Sequence, residues 1–105
     1  MRRYDVYLVD VSVGLRRDLS TARPCVVISP EEMNDNINTV IVVPVTTEAL
    51  EYPTRIPVHL QGRDGWMVLD EIQTVDKERL FRRFGRIDEK AIRQARRILM
   101  EMLVE

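Results

Sequence analysis

Apolar residues in this chain come in short runs, each closed by proline, glycine or a polar turn, until one amphipathic stretch near the C-terminus. Short β-branched runs make strands, and only the final stretch has helical spacing. No run approaches the length of a membrane-spanning helix. The pattern therefore predicts a mainly β chain with one terminal helix. Its 105 residues suit a single domain, 1–105, with one modest core. The charged start that passes into a strand does not read as a secretory leader.

Tyr4–Val11 reads as a first strand, and Ser12–Ala22 as a long loop or loose hairpin carrying Arg16, Arg17, Asp18 and Ser20. Cys25–Ser29 is a second, buried strand. Pro30–Asn38 is a turn with at most one helical turn, opened by Pro30 and favoured by Glu31 and Glu32. Thr39–Val45 is a third strand; Pro44 inside it cannot donate a ladder hydrogen bond and demands an edge, a bulge or a strand end. Arg55–Leu60 is a fourth, with Pro57 making the same demand. The turn Gln61–Gly65 leads to a fifth strand, Trp66–Leu69, expected to run on towards Val75. Asp76 caps a short turn, Lys77–Leu80, before a last short strand, Phe81–Ile87. Asp88 is a good N-cap for the helix that follows, in which Ala91, Ile92, Ala95, Ile98, Leu99, Met102 and Leu103 share one face. Such a string of short strands predicts a small, strongly bent antiparallel sheet or partly open barrel, SH3-like in size.

The net charge of -1 conceals a division, since 14 of the 16 basic residues are arginine. Lys77–Arg97 alone holds nine basic and three acidic residues. Arginine's planar fork suits phosphate better than a lysine point charge does. One cysteine cannot make an internal disulfide and fits a reducing cytoplasm; with one histidine it leaves little for a metal site. Cys25 reads as a small core residue, His59 as structural or surface, and Trp66 as core, interface or a base-stacking platform. Gly-rich phosphate loops, nucleophile elbows and HExxH sequences are absent.

Two strand ends remain. Arg23 precedes Pro24, which biases it to extended backbone. Thr46 and Thr47 follow the third strand. If strands two and three run antiparallel, a guanidinium and one or two hydroxyls meet at one rim. That set binds a tetrahedral oxyanion and needs no metal or protein nucleophile when the substrate supplies its own. RNA does so through its 2′-hydroxyl.

Taken together, YDVYLVDV, ARPCVVISPEEMN, IVVPVTTE, YPTRIPV, GRDGW, LDEIQTVDKERL and FGRID, in this order and spacing, resemble the MazF/PemK family of toxin endoribonucleases from bacterial toxin–antitoxin pairs. The resemblance spans the chain from about Arg2 to its end. It implies an SH3-like barrel with an appended helix, a homodimer, and metal- and cofactor-free cleavage of single-stranded RNA, mainly messenger RNA. The products would carry 2′,3′-cyclic phosphate and 5′-hydroxyl ends. The resemblance maps the catalytic arginine onto Arg23, the catalytic threonine onto Thr46 and a proton-transferring carboxylate onto Asp70. Thr47 matches the neighbouring Ser/Thr position of the family, and Arg16, Arg17, Ser20, Glu71 and Gln73 are further candidate substrate contacts. The resemblance also implies a cytoplasmic protein, no membrane, and a MazE-like antitoxin partner that lays an acidic disordered segment in the arginine-bearing groove.

The chain departs from the family pattern in places. Many members read Arg-Gly-Asp where this chain has Arg3-Tyr4-Asp5, and Asp-Gln-Ile-Arg where it has Asp70-Glu71-Ile72-Gln73. Glu71 is suited to accept from a cytosine amino group, and Arg16 and Arg17 to supply backbone contacts. Two other functions fit the same barrel. One is a CcdB-like toxin that inhibits gyrase by contact; the other is a catalytically silent, antitoxin-binding barrel. Long RNA incubated in EDTA separates the three.

Overall fold

The computed structural model describes residues 1–11, 19–48 and 51–104. Seven strands form one curled antiparallel sheet: β1 (Asp5–Asp10), β2 (Ala22–Val27), β3 (Thr39–Thr46), β4 (Arg55–Leu60), β5 (Arg63–Val68), β6 (Gln73–Asp76) and β7 (Leu80–Arg86). A single helical turn, α1 (Glu31–Asn34), joins β2 to β3, and the long helix α2 (Glu89–Leu103) closes the chain. The strand order is β4-β5-β3-β2-β1-β7, with β6 also paired to β3. This is the bent, mainly β body with a terminal helix that the pattern of short runs predicts.

β3 is the hinge of the sheet. Its first half, Thr39 to Val42, pairs with β6, and its end, Val45 and Thr46, pairs with β5. Pro44 falls between these partnerships, so its missing N–H interrupts neither ladder on that side. β4 lies at the end of the strand order, where Pro57 is tolerated.

β2 and β3 are buried on both faces, which explains why they read as continuous apolar runs rather than alternating ones. One core contains Val6, Val26, Val43, Ile56, Met67 and Leu69 and receives Ala91, Ile92 and Ala95 from α2. The other contains Val9, Cys25, Val27, Val40, Val42 and Val75. Asp88 caps α2, its Oδ1 accepting from the Ala91 N–H at 2.8 Å.

Several boundaries differ from expectation, and Thr46 is the last residue of β3 rather than the first beyond it. β2 starts at Ala22 and ends at Val27, so Arg23 and Pro24 lie within the strand. Long-range pairing with β1, Val9 opposite Arg23 and Leu8 opposite Pro24, extends it. β5 starts at Arg63, because Gln61 and Gly62 both take positive φ, 47° and 77°, and make a two-residue hairpin turn. The run after Trp66 breaks at Leu69–Ile72, and β6 is a separate strand. Of the long loop, only Leu19 to Ala22 and the segment before Ser12 lie among the described residues.

Tyr4 has φ 76°, a left-handed conformation that favours glycine. Its N–H donates to the Val27 carbonyl at 2.6 Å and its carbonyl accepts from Ile87 at 3.3 Å. The ring is buried in the first core. These contacts hold the backbone in a conformation that costs about 1–2 kcal/mol.

Candidate active-site groove

β2 and β3 run antiparallel, with Cys25 opposite Pro44, Val26 opposite Val43 and Val27 opposite Val42. The paired stretch ends at Cys25 and Pro44, and beyond it Arg23 stays paired with Val9 of β1 and Thr46 with Trp66 of β5. Arg23 and Thr46 both line a groove of about 640 Å³ whose floor includes Pro24, Pro44, Val45 and Val68. Cys25, two residues from Arg23, points into the core. Burial pushes its thiol up to about 12 against the smaller pull of the Arg23 charge, so it is held neutral.

Thr46 is half-buried, and its Oγ1 accepts a hydrogen bond from the Glu48 N–H at 3.2 Å. This orients the hydroxyl and leaves its own proton free to donate into the groove. Arg23 is exposed, with its charge at the groove mouth. Gly65 on β5 lets the hairpin pass close behind the site. A Cβ there would lie 3.0 Å from Val45 Cγ1 and 3.1 Å from the Thr46 carbonyl oxygen.

Of the other expected residues, Thr47 and Glu71 line the same groove. Asp70, Gln73 and Ser20 are not among the lining residues, and Arg16 and Arg17 lie outside the described residues. Asp70 is turned towards β4, where its Oδ1 accepts from Thr54 Oγ1 at 2.9 Å and stands 3.9 Å from Arg55 Nε. Gln73 opens β6 opposite Val42.

Arg55 and Arg63 also line the groove, as do the carboxylates Glu48 and Asp64. Sequence reasoning passed over all four. For Arg55 a signal existed: it opens an alternating strand directly after a turn, the placement that drew attention to Arg23. Arg63 and Asp64 read as turn residues until the hairpin tightens and carries them into β5.

Trp66 and His59 border a second, shallower hollow with Pro57, Asp88 and Lys90. His59 is exposed, its Nδ1 2.8 Å from the Asp64 carboxylate. No group of three or more His, Cys, Asp or Glu side chains among the described residues is arranged to hold a metal ion. No helix among them is long and apolar enough to cross a membrane.

A cationic fork and an oriented hydroxyl on adjacent antiparallel strands make a site for a tetrahedral oxyanion. The comparisons with known proteins agree with this architecture. The family described as PemK-like, MazF-like toxins of type II toxin–antitoxin systems matches residues 2–103. A curated protein named Endoribonuclease MazF, from Staphylococcus saprophyticus, is 30% identical over 102 residues, covering 90% of this chain and 83% of its own. The fold is that of an endoribonuclease solved with its cognate antitoxin from a mycobacterial species, 23% identical with a TM-score of 0.82 over 98% of this chain and 94% of that one. MazF from Deinococcus radiodurans is equally close in fold, 19% identical with a TM-score of 0.82 over 100% and 97% of the two chains. The chain therefore belongs to the family of PemK-like, MazF-like toxins of type II toxin–antitoxin systems.

Proposed function

We propose that this protein is the toxin of a toxin–antitoxin pair and cleaves single-stranded RNA, mainly messenger RNA, by directing the substrate's own 2′-hydroxyl onto the adjacent phosphodiester. The presence of Arg23 from β2 and Thr46 from the antiparallel neighbour β3 in the lining of one groove supports this reading. The 2′-oxygen forms a bond to phosphorus, and the bond from phosphorus to the 5′-oxygen breaks. A 2′,3′-cyclic phosphate and a 5′-hydroxyl result, with no metal and no protein nucleophile.

Arg23 stabilises the charge that builds on the non-bridging oxygens. Arginine is a poor base because its pKa exceeds about 12, but its guanidinium can pass a proton to the leaving 5′-oxygen and recover one from water. Thr46 donates its hydroxyl proton to a phosphate oxygen. The 2′-proton goes to a carboxylate: Glu71, which lines the groove, is better disposed to take it than Asp70, which is engaged by Thr54. Thr47, Ser20 and Gln73, together with Arg16 and Arg17, supply contacts to the rest of the substrate. The working form is a cytoplasmic homodimer, silenced by an acidic, initially disordered antitoxin segment that occupies the same groove.

Purified protein incubated with long RNA in EDTA tests this reading. Discrete fragments with cyclic phosphate ends are expected, and Arg23→Lys should slow single-turnover cleavage by about 100-fold, the cost of losing one oxyanion donor. Intact RNA would refute it; inhibition of gyrase by the same sample would then favour the CcdB-like alternative, and neither activity the silent barrel.

A further inference from the structure

Arg55 is the groove residue that the proposed chemistry leaves without a task. It opens β4, and its side chain is 14% exposed. Its Nε is buried with no hydrogen-bond partner, and no other nitrogen of its guanidinium donates to a protein atom among the described residues. The guanidinium carbon sits 5.1 Å from the centre of the Tyr52 ring. Asp70 is 3.9 Å from Nε, too far for a hydrogen bond, and its nearer oxygen is already engaged by Thr54.

These facts separate two explanations. A structural ion pair would use the fork, with two short N–H to oxygen bonds to the carboxylate. Here the guanidinium is held by charge and by the ring; Nε is closed off, and the terminal nitrogens are the ones left to face the groove. A half-buried guanidinium with unsatisfied donors is poised for an anion that arrives from outside.

We infer that Arg55, held in place by Asp70 and Tyr52, binds a phosphodiester flanking the scissile one in RNA that lies along the groove. The inference rests on the nuclease reading. Arg55 and Arg23 reach the groove from strands three places apart in the sheet order, and in this arrangement each guanidinium binds its own phosphate. Asp70 in this arrangement is a positioning residue that acts through Arg55.

The test uses the full chain and an RNA with 2′-deoxyribose at the cleaved position, which binds without reacting. Arg55→Met should weaken binding about tenfold and flatten the dependence of log K on log salt by about 0.7, the contribution of one single-strand phosphate. Arg55→Lys should keep the salt slope while losing affinity. Asp70→Asn should weaken binding but leave the single-turnover rate at saturating enzyme unchanged; a slowed rate with unchanged binding would make Asp70 the proton acceptor and overturn the positioning role.

A neutral methylphosphonate walked along the RNA supplies a measurement on the unaltered protein. One flanking linkage should reproduce the Arg55→Met loss, and Arg55→Met should be indifferent to it. Sensitivity at the scissile linkage alone would overturn the inference. So would an Arg55→Met protein that binds RNA normally, including one that has lost affinity only for an acidic peptide. Cleavage of ordinary RNA by the unaltered protein, run alongside, reports the nuclease reading separately.

Discussion

Asp5 shows how one side chain ties the start of the chain to its second half. It is only 4% exposed and accepts from the Arg2 N–H at 3.1 Å, Arg83 Nη2 at 3.4 Å and Arg86 Nη1 at 3.3 Å. Burial alone would raise its pKa. The hydrogen bonds from the Arg2 backbone and the two guanidiniums outweigh burial and hold the carboxyl below its ordinary value. A depressed folded-state pKa stabilises the fold above the unfolded value near 4, and that contribution is lost as pH falls through the folded value. Asp5→Asn should cost about 2 kcal/mol at pH 7, and the gap from the unaltered protein should narrow below about pH 4. Thermal unfolding across that range measures it. A gap constant with pH would show that the asparagine disturbs packing rather than charge. The opposite balance governs Cys25, where burial wins and the thiol is inert.

At the scale of elements, the site depends on how closely the β4–β5 hairpin approaches the end of β3. Val45 pairs with Met67 and Thr46 with Trp66, and Gly65 is next in line. The Cβ of an alanine there would press on the Thr46 carbonyl, which is backbone and cannot rotate away. Gly65→Ala should therefore displace the end of β3, costing about 1–2 kcal/mol and slowing single-turnover cleavage more than it weakens RNA binding. Equal activity with lowered stability would mean that the strand end shifts without disturbing Thr46. Pro44 matters for a related reason: it lies where β3 exchanges β6 for β5, two residues before Thr46.

For the whole molecule, the exposed end of α2 is the conspicuous unfinished surface. Met100, Leu103 and Val104 are 58%, 64% and 64% exposed, whereas Ala91, Ile92 and Ala95 nearer its start are buried on the sheet. Apolar residues grouped at one helix end mark a contact surface more often than a solvated one. Were a second copy to cover this end in the homodimer proposed above, Leu103→Asp would move the sedimenting species from dimer to monomer while far-UV circular dichroism stays unchanged. A Leu103→Asp protein that remains dimeric would put the interface elsewhere.

The amino-acid order by itself determined the strand-rich class, the terminal helix with its Asp88 cap, and the pairing of an arginine with a threonine as the residues to watch. These are local matters: β-branching, proline geometry and three- and four-residue spacing act within a few positions of chain. It did not determine that Arg23 lies inside β2, that Arg55 enters the groove, or that Asp70 faces Thr54 while its neighbour Glu71 lines the site. Those outcomes follow from strand order and register, which bring β4 and β5 beside the end of β3, and from the exchange of partners along β3. They are set by pairing and packing between segments far apart in sequence, where no local preference of Arg55 or Asp70 distinguishes one wall of the groove from the other.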